Sequence, residues 1–218
     1  MSFLTSTAVE DAIRDSAIHH WPMDEGSGTT LTDVVGSEDG SINGPTWISG
    51  TWYDGFALDA DGIDDFVDFS NSILPSDNFT VLATIDIQGP LENNRVLYDG
   101  VQTHSLRTND ISSSGNPDSG FYFDYNAEQS GAYLNPIPSG RFRAAFGADN
   151  GAAFMFINGS DTDVNISTES TGYPTSDVRF FDRGDGSESD SILDNIIVAN
   201  DVLTQSEIEA DFNAQPWS

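Results

Sequence analysis

Phe79-Thr-Val-Leu-Ala-Thr-Ile-Asp-Ile87 is the stretch of sequence that decides the fold. It is long and apolar, which predicts a central strand of a sheet. Shorter strand patterns lie on both sides of it, separated by turns of Gly, Asn, Asp and Pro. Asp65–Phe69 alternates apolar and polar residues, as a half-buried strand does. Ala153–Ile157 runs into Asn158-Gly159, a pair that favours a type I′ hairpin.

Helical signals are confined to the two ends of the chain. Thr204-Gln-Ser-Glu207 is a capping box, and it predicts a short closing helix with Ile208 and Phe212 on its inner face. Thr7-Ala-Val-Glu10 is a second capping box, so residues 8–17 form either a short helix or a frayed terminus.

Many short strands followed by one late helix are typical of a β-sandwich and not of alternating strands and helices. We therefore predict an all-β fold, a two-sheet antiparallel β-sandwich with short N- and C-terminal helices. Residues 1–16 are predicted to form a helical docking segment, and residues 17–218 a single sandwich domain.

The charge of the chain is extreme, with 36 acidic residues against seven basic ones and a net charge of −29. All seven basic residues are Arg, whose guanidinium is more weakly hydrated than the Lys ammonium. Self-repulsion of this size strains a folded protein in dilute buffer but is largely screened in concentrated salt. The composition therefore indicates adaptation to high salt, and the aromatic strands argue against disorder. Without a basic segment, a nucleic-acid partner is not expected.

Cysteine is absent, which excludes disulfides and cysteine metal sites. No apolar stretch is long enough to predict a membrane span. Residues 1–20 lack the pattern of a secretory signal, so we expect the protein to be made in the cytoplasm and released by assembly or lysis.

Seven stretches, taken in chain order, resemble motifs of laminin-G-like domains of the concanavalin-A-like lectin and glucanase type. Together they span about residues 17–212. They are Trp21–Thr30, Asp33 with Asp39–Ile42, Gly55–Val67, Phe79–Val81, Phe156–Gly159, Leu193–Ile196 and Leu203–Ile208. The chain departs from the family at Thr84, where the central strand usually carries Trp, and in the middle from about residue 88 to residue 140.

The resemblance implies a jelly roll that binds or assembles, often with one calcium ion at the sandwich edge. In the family the ion lies where the first turn, the second acidic turn and the last strand meet. This maps onto the carboxylates of Asp24, Asp61 and Asp194, with Gly26 as a carbonyl donor. Oxygen ligands in tight turns suit Ca²⁺. The alternative is that these acids only solvate the surface of a salt-adapted protein.

A catalytic role is not expected. Glycosidases of this fold place two carboxylates on one strand, in the spacing Glu-x-Asp-x-x-Glu. The nearest approach here, Glu188-Ser-Asp190-Ser-Ile-Leu193, ends in Leu. The chain has three histidines, His19, His20 and His104. His19 and His20 lie next to a strand Trp and are interpreted as packing or surface residues and not as a base or a metal pair.

Sugar binding on this kind of fold uses aromatic faces beside Asp and Asn. Most aromatic residues of the chain are expected in the core. Tyr125 and Tyr133 lie near polar loops and are the predicted ligand-binding residues.

These observations favour a non-catalytic structural or adhesion module. We expect this module to be a surface-exposed virion component of a haloarchaeal virus. Such a turret, decoration or tail protein contacts host surface glycans or sibling subunits, as a homo-oligomer or with other virion subunits. The alternatives are a free-standing halophilic lectin-like protein at the cell surface and a divergent glycosidase.

Overall fold

The structure is a computed structural model. It describes residue 13 and the ranges 15–49, 55–89, 95–99, 104–109, 120–125, 130–134, 138–162, 178–182 and 188–214.

Strands make up most of the described residues, and one helix follows them. The strands are β1 (Ala17–Trp21), β2 (Thr30–Leu31), β3 (Gly40–Asn43), β4 (Thr46–Ser49), β5 (Phe56–Asp61), β6 (Phe66–Phe69), β7 (Phe79–Ile87), β8 (Arg95–Asp99), β9 (His104–Asn109), β10 (Gly120–Tyr125), β11 (Ser130–Leu134), β12 (Phe142–Asp149), β13 (Ala152–Ile157), β14 (Ser160–Asp161), β15 (Val178–Phe180) and β16 (Asp190–Ala199). The helix is α1 (Gln205–Ala214).

Two antiparallel sheets contain all of these strands. The first sheet has the order β14-β13-β12-β7-β16-β5-β4, and β1 also pairs with β16. The second sheet has the order β11-β10-β9-β8-β15-β6-β3-β2. β7, the strand from which the sequence argument began, lies between β12 and β16 in the middle of the first sheet. The predicted two-sheet antiparallel sandwich is confirmed.

The core lies between the two sheets and is built largely of aromatic side chains. Trp21 is fully buried, and its ring packs against Phe69 and Phe180 with centroid separations of 4.9 and 5.7 Å. The indole N–H donates to the carbonyl oxygen of Glu38, so its one polar atom is satisfied. Farther along the sandwich, Phe123 packs against Phe146 in the same way. Alternation along each strand places such residues inside and polar residues outside.

The sequence between residues 36 and 49 forms two strands, β3 and β4, which belong to different sheets. The chain leaves the second sheet at Gly44, whose φ of 94° is accessible to Gly at little cost, and Pro45 follows. The predicted hairpin is confirmed: Asn158 and Gly159 have φ of 52° and 76°, and Ile157 pairs with Ser160.

A small apolar cluster covers the outer face of the first sheet. Ile208 of α1 is buried there against Leu82, Ala145 and Leu203. The predicted capping box is formed: the backbone N–H of Glu207 donates to Thr204 Oγ1, and the Thr204 N–H donates to Glu207 Oε2.

The end of the predicted docking segment also reaches this cluster. Residues 13, 15 and 16 are helical, and Ile13 is buried with Ile208. The rest of the helix predicted at residues 8–17 lies outside the described residues, apart from the start of β1. In the part of the chain that is described, no helix has the length and apolar character that a membrane crossing requires.

Asp33 holds the turn between β2 and β3 together. It is buried, and its Oδ1 accepts from the backbone N–H groups of His20, Val35 and Gly36 at 2.9–3.1 Å. Its Oδ2 accepts from the Glu38 N–H and lies 2.7 Å from the Nδ1 of His19. Burial would raise the pKa of Asp33, but hydrogen bonds from His19 and from backbone N–H groups lower it from 3.8 to about 2.

Replacing Asp33 by Asn is expected to lower the free energy of unfolding by about 2 kcal/mol at neutral pH. The new amide NH₂ cannot accept from Glu38, and it meets a donor there. A group with a depressed folded-state pKa stabilises the protein above its unfolded pKa and loses that effect as the pH falls. The difference in free energy of unfolding between wild type and variant should therefore vanish as the pH falls from 3.8 to about 2.

Denaturant unfolding across that pH range measures the difference in free energy of unfolding, and Asp77→Asn is the control because Asp77 is exposed. A difference that stays constant down to pH 2 would contradict this role for Asp33.

Candidate functional site

The candidate site lies where β16 changes partners within the first sheet. Residues 190–193 of β16 pair with β5, whereas residues 196–199 pair with β1. At the change, the pairing of β16 with β7 shifts register between Asp194 and Ile197, and Asn195 has a φ of 45°. A bulge of this kind redirects side chains and separates neighbouring strands. Asp194 therefore sits between the start of β5 and the end of β1.

Asp194 is completely buried, and neither of its carboxylate oxygens has a partner of hydrogen-bond geometry among the described residues. Burial raises its pKa from 3.8 to about 7, and the nearby carboxylate of Asp24 adds to the shift. The charge of Arg143 and the neighbouring N–H of Asn195 oppose the shift without cancelling it. A buried carboxylate without partners is costly, so it points to a positively charged ligand.

Asp24 lies three residues after the end of β1, and its carboxylate is near that of Asp194. Its Oδ1 lies so close to the α-carbon of Gly55 that an added β-carbon there would be 1.8 Å away. Gly55 immediately precedes β5, so Asp24 lies at the start of β5. Asp194 lies on the neighbouring strand β16. The space between the end of β1 and the start of β5, beside Asp194, is here named the gap. Gly26, with φ of 63°, packs its α-carbon against the Phe56 ring. Glu25 between them has one buried oxygen, Oε2, without a described partner.

This arrangement fits a hard cation. Two carboxylates from different segments, Asp24 and Asp194, lie near one another, and carboxylate oxygens are ligands that Ca²⁺ prefers. Asp194 and Asp24 would hold the ion, and the predicted carbonyl donor Gly26 belongs to the same turn. The structure places the charge of Asp24 near Asp194, with Gly26 two residues farther along the chain, and metal binding by these residues stays a prediction.

The fourth predicted ligand, Asp61, lies elsewhere. It is the last residue of β5 and pairs with Asp190, four residues before Asp194 on β16. That offset is about 13 Å along a strand. Asp61 instead neighbours Asp64 and Asp65, with carboxylate oxygens within 4.8 Å of one another. Two of these carboxylates accept backbone N–H bonds inside the turn, so the turn itself accounts for them.

Two further carboxylates that sequence spacing missed lie on the outer face of the first sheet. Asp59 of β5 and Asp86 of β7 both align with Ile192 of β16. Burial raises the pKa of each, and neighbouring acids add to the effect. They come from strands far apart in sequence, so no local motif reveals them.

The histidines near the first strand have structural partners. His19 pairs with Asp33 and stacks on Trp21, with ring centroids 5.3 Å apart. His20 Nε2 is 2.8 Å from the side-chain oxygen of Asn195. These contacts agree with the packing role expected from the sequence. For His104, the described backbone places it at the first position of β9.

The two predicted ligand-binding tyrosines lie on neighbouring strands of the second sheet. The backbone of Tyr133 in β11 pairs with that of Tyr122 in β10. Tyr125 is the last residue of β10, and its backbone pairs with Ser130 and His104. The side chains of both predicted residues lie outside the part of the chain that the structure describes, so their role in ligand binding stays a prediction.

Comparisons with solved structures identify the architecture. Domain 4 of AbnA, a GH43 extracellular arabinanase from Geobacillus stearothermophilus in complex with arabinotriose, is 15% identical with a TM-score of 0.64. The match covers 90% of this chain and 98% of that one. A botulinum neurotoxin type C structure, described with two ganglioside molecules, is 17% identical with a TM-score of 0.68, over 94% of this chain and 52% of that one.

A sialidase from Trypanosoma rangeli is also similar, with 14% identity and a TM-score of 0.61 over 91% of this chain. This chain spans 32% of that sialidase and about half of the toxin chain, but nearly the whole arabinanase domain. No family model matches the sequence, and no curated protein matches it. The likenesses establish the fold, and the lectin-like β-sandwich predicted from the sequence is confirmed.

Proposed function

We propose that this chain is a non-catalytic carbohydrate-binding module that holds one structural Ca²⁺ at the gap in its first sheet. The observation that carries the ion is Asp194, buried beside Asp24 with both oxygens unpartnered. The observation that supports carbohydrate binding is the fold, because a domain similar over almost its full length was solved with arabinotriose. Fold alone does not give function, so the ligand must be tested directly.

We further propose that the module is displayed on a virion of a haloarchaeal virus, where it contacts host surface glycans or sibling subunits. The net charge of −29 and the absence of Lys support a high-salt setting. Imaging purified particles with symmetry-related copies of this chain on their surface would support the proposal. Recovery only from the cell envelope would favour the free-standing lectin.

Carbohydrate binding is tested on a glycan array in concentrated KCl, with calcium and then with a chelator. We expect retention of at least one glycan class, weakened by the chelator because the ion orders the turn that contains Asp24. A correctly folded protein that binds no glycan in either condition would overturn the carbohydrate-binding proposal.

The glycosidase alternative has one observation in its favour. Asp59 and Asp86 are two strand spacings apart, about 10 Å, which is near the separation of an inverting carboxylate pair. Incubation with oligosaccharides and measurement of new reducing ends decides between the two functions. If wild type hydrolyses the oligosaccharides and neither Asp59→Asn nor Asp86→Asn does, the protein is a glycosidase and the proposal of a non-catalytic binding module is wrong.

A further inference from the structure

The outer face of the first sheet carries a row of four register-matched positions, here named the carboxylate row. Thr46 of β4 pairs with Asp59 of β5. Asp59 and Asp86 of β7 both pair with Ile192 of β16, which lies between them. The row faces outward, because an adjacent residue on each of the last three strands is buried in the core. These inward residues are Leu58, Leu193 and Ile85.

Among the described residues, only other carboxylates act on the charge of Asp59. Burial raises the pKa of Asp59, and the charges of Asp190 and Asp61 raise it further. Asp190 is the outward residue of β16 that precedes Ile192, and it pairs with Asp61. A half-buried carboxylate with acidic neighbours attracts a positively charged group.

Asp194 extends this face toward the gap. It is the next outward residue of β16 after Ile192, because it pairs with Thr84, whose hydroxyl accepts a hydrogen bond from Arg143 on the outer face. Asp194 is completely buried, and neither of its oxygens has a described partner. Negative charge is therefore left unsatisfied at two places on one face. An ion at Asp194 would leave the repulsion among Asp59 and its acidic neighbours in place.

The row also has the groups that hold a sugar. Ile192 is half-buried and forms an apolar floor on which the C–H face of a sugar ring can pack. The carboxylates on both sides accept hydrogen bonds from hydroxyls, and Thr46 adds an exposed hydroxyl at one end. At the other end the charge of Arg141 acts on Asp86, so the excess of negative charge is on the Asp59 side. Asp59 and Asp86 are two strand spacings apart, about 10 Å, which suits a short oligosaccharide lying across the strands.

We propose that the carboxylate row binds a saccharide that carries an ammonium group, as an oligomer of non-acetylated hexosamine does. This inference rests on the proposed carbohydrate-binding function and specifies its ligand. The ammonium group donates charge-assisted hydrogen bonds to Asp59, and such contacts persist where salt screens long-range attraction. A saccharide with carboxylate or sulfate groups is disfavoured, because it meets the repulsion of Asp59, Asp86 and Asp190.

The test compares two ligands that differ at the amino group. Binding of a glucosamine oligomer and of its N-acetylated counterpart is measured by calorimetry in concentrated NaCl, at a pH where the sugar amine is protonated. We expect the charged oligomer to bind at least about tenfold more tightly. Asp59→Asn should remove about that factor and leave the affinity for the N-acetylated oligomer unchanged. Asp86→Asn should weaken both ligands, since its carboxylate accepts from hydroxyls.

Asp161→Asn is the matched control, since it deletes the same charge from an exposed residue of β14 at the far edge of the same sheet and should leave both affinities unchanged. Circular dichroism confirms that each variant is folded. Equal binding of the two oligomers would overturn the ammonium ligand while leaving carbohydrate binding intact. Preference for the charged oligomer that survives in Asp59→Asn would overturn the site, and equally tight binding of spermine would overturn the saccharide. Binding of no glycan at all would overturn this inference and the proposed function together.

Discussion

Replacing Asp194 by Asn is expected to change stability in opposite directions with and without calcium. In calcium-free solution the variant should be more stable than wild type by about 1–3 kcal/mol, because it no longer buries an unpartnered charge. With calcium at about a hundred times its dissociation constant, wild type should gain about 2.7 kcal/mol, whereas the variant gains nothing.

Thermal unfolding in concentrated KCl, with added calcium or with a chelator, measures both effects. The wild-type midpoint should rise by about 5–10 °C on adding calcium. Asp77→Asn removes one exposed carboxylate and should keep the full calcium shift. If the Asp194 variant keeps that shift too, or if wild type shows none, Asp194 does not hold the ion.

Replacing Arg143 by Met is expected to lower the free energy of unfolding by about 3–5 kcal/mol. Arg143 is 2% exposed and ties three elements together: its Nε donates to Asp211 of α1 at 2.8 Å, and its Nη1 donates to Thr84 of β7 and to the Asn195 carbonyl of β16. Met fills much of the same volume but leaves the largely buried carboxylate of Asp211 and the Asn195 carbonyl group without these donors.

Denaturant unfolding compares this variant with Arg179→Met, which removes an Arg whose side chain is one-third exposed and pairs with Asp68. We expect the smaller loss at Arg179, because solvent screens half-exposed pairs. A double-mutant cycle with Asp211→Asn then isolates the contact between strand β12 and the closing helix. Equal losses at the two arginines would contradict a special role for the buried network.

The role of Arg143 in joining three elements was not apparent in the sequence. It lies two positions from Arg141 in a strand pattern, where an Arg is usually a solvated residue. Its three partners are 52, 59 and 68 residues away, so only the assembled sheet and helix bring them within reach. Thr84 of the central strand contributes a hydroxyl to this network.

The predicted metal site also depended partly on short motifs, which the sequence contains, and partly on strand register, which it does not. The turn after β1 and the last strand were identified from short motifs, and in the structure the charge of Asp24 lies near Asp194. Asp61 was assigned to the same site, but the register of β5 with β16 places it beside Asp190. Motif order does not contain register, because a strand read alone has no partner to be aligned with.

The sequence alone determined the class of the fold, the central strand at Phe79–Ile87, the Asn158-Gly159 hairpin and the cap of the closing helix. These depend on alternation and on backbone preferences of a few neighbouring residues, so they are local. The tertiary structure alone decided that Asp194 is buried at a bulge and that Arg143 joins three elements. Those relations depend on strand order and register, which are set by burial of the whole core.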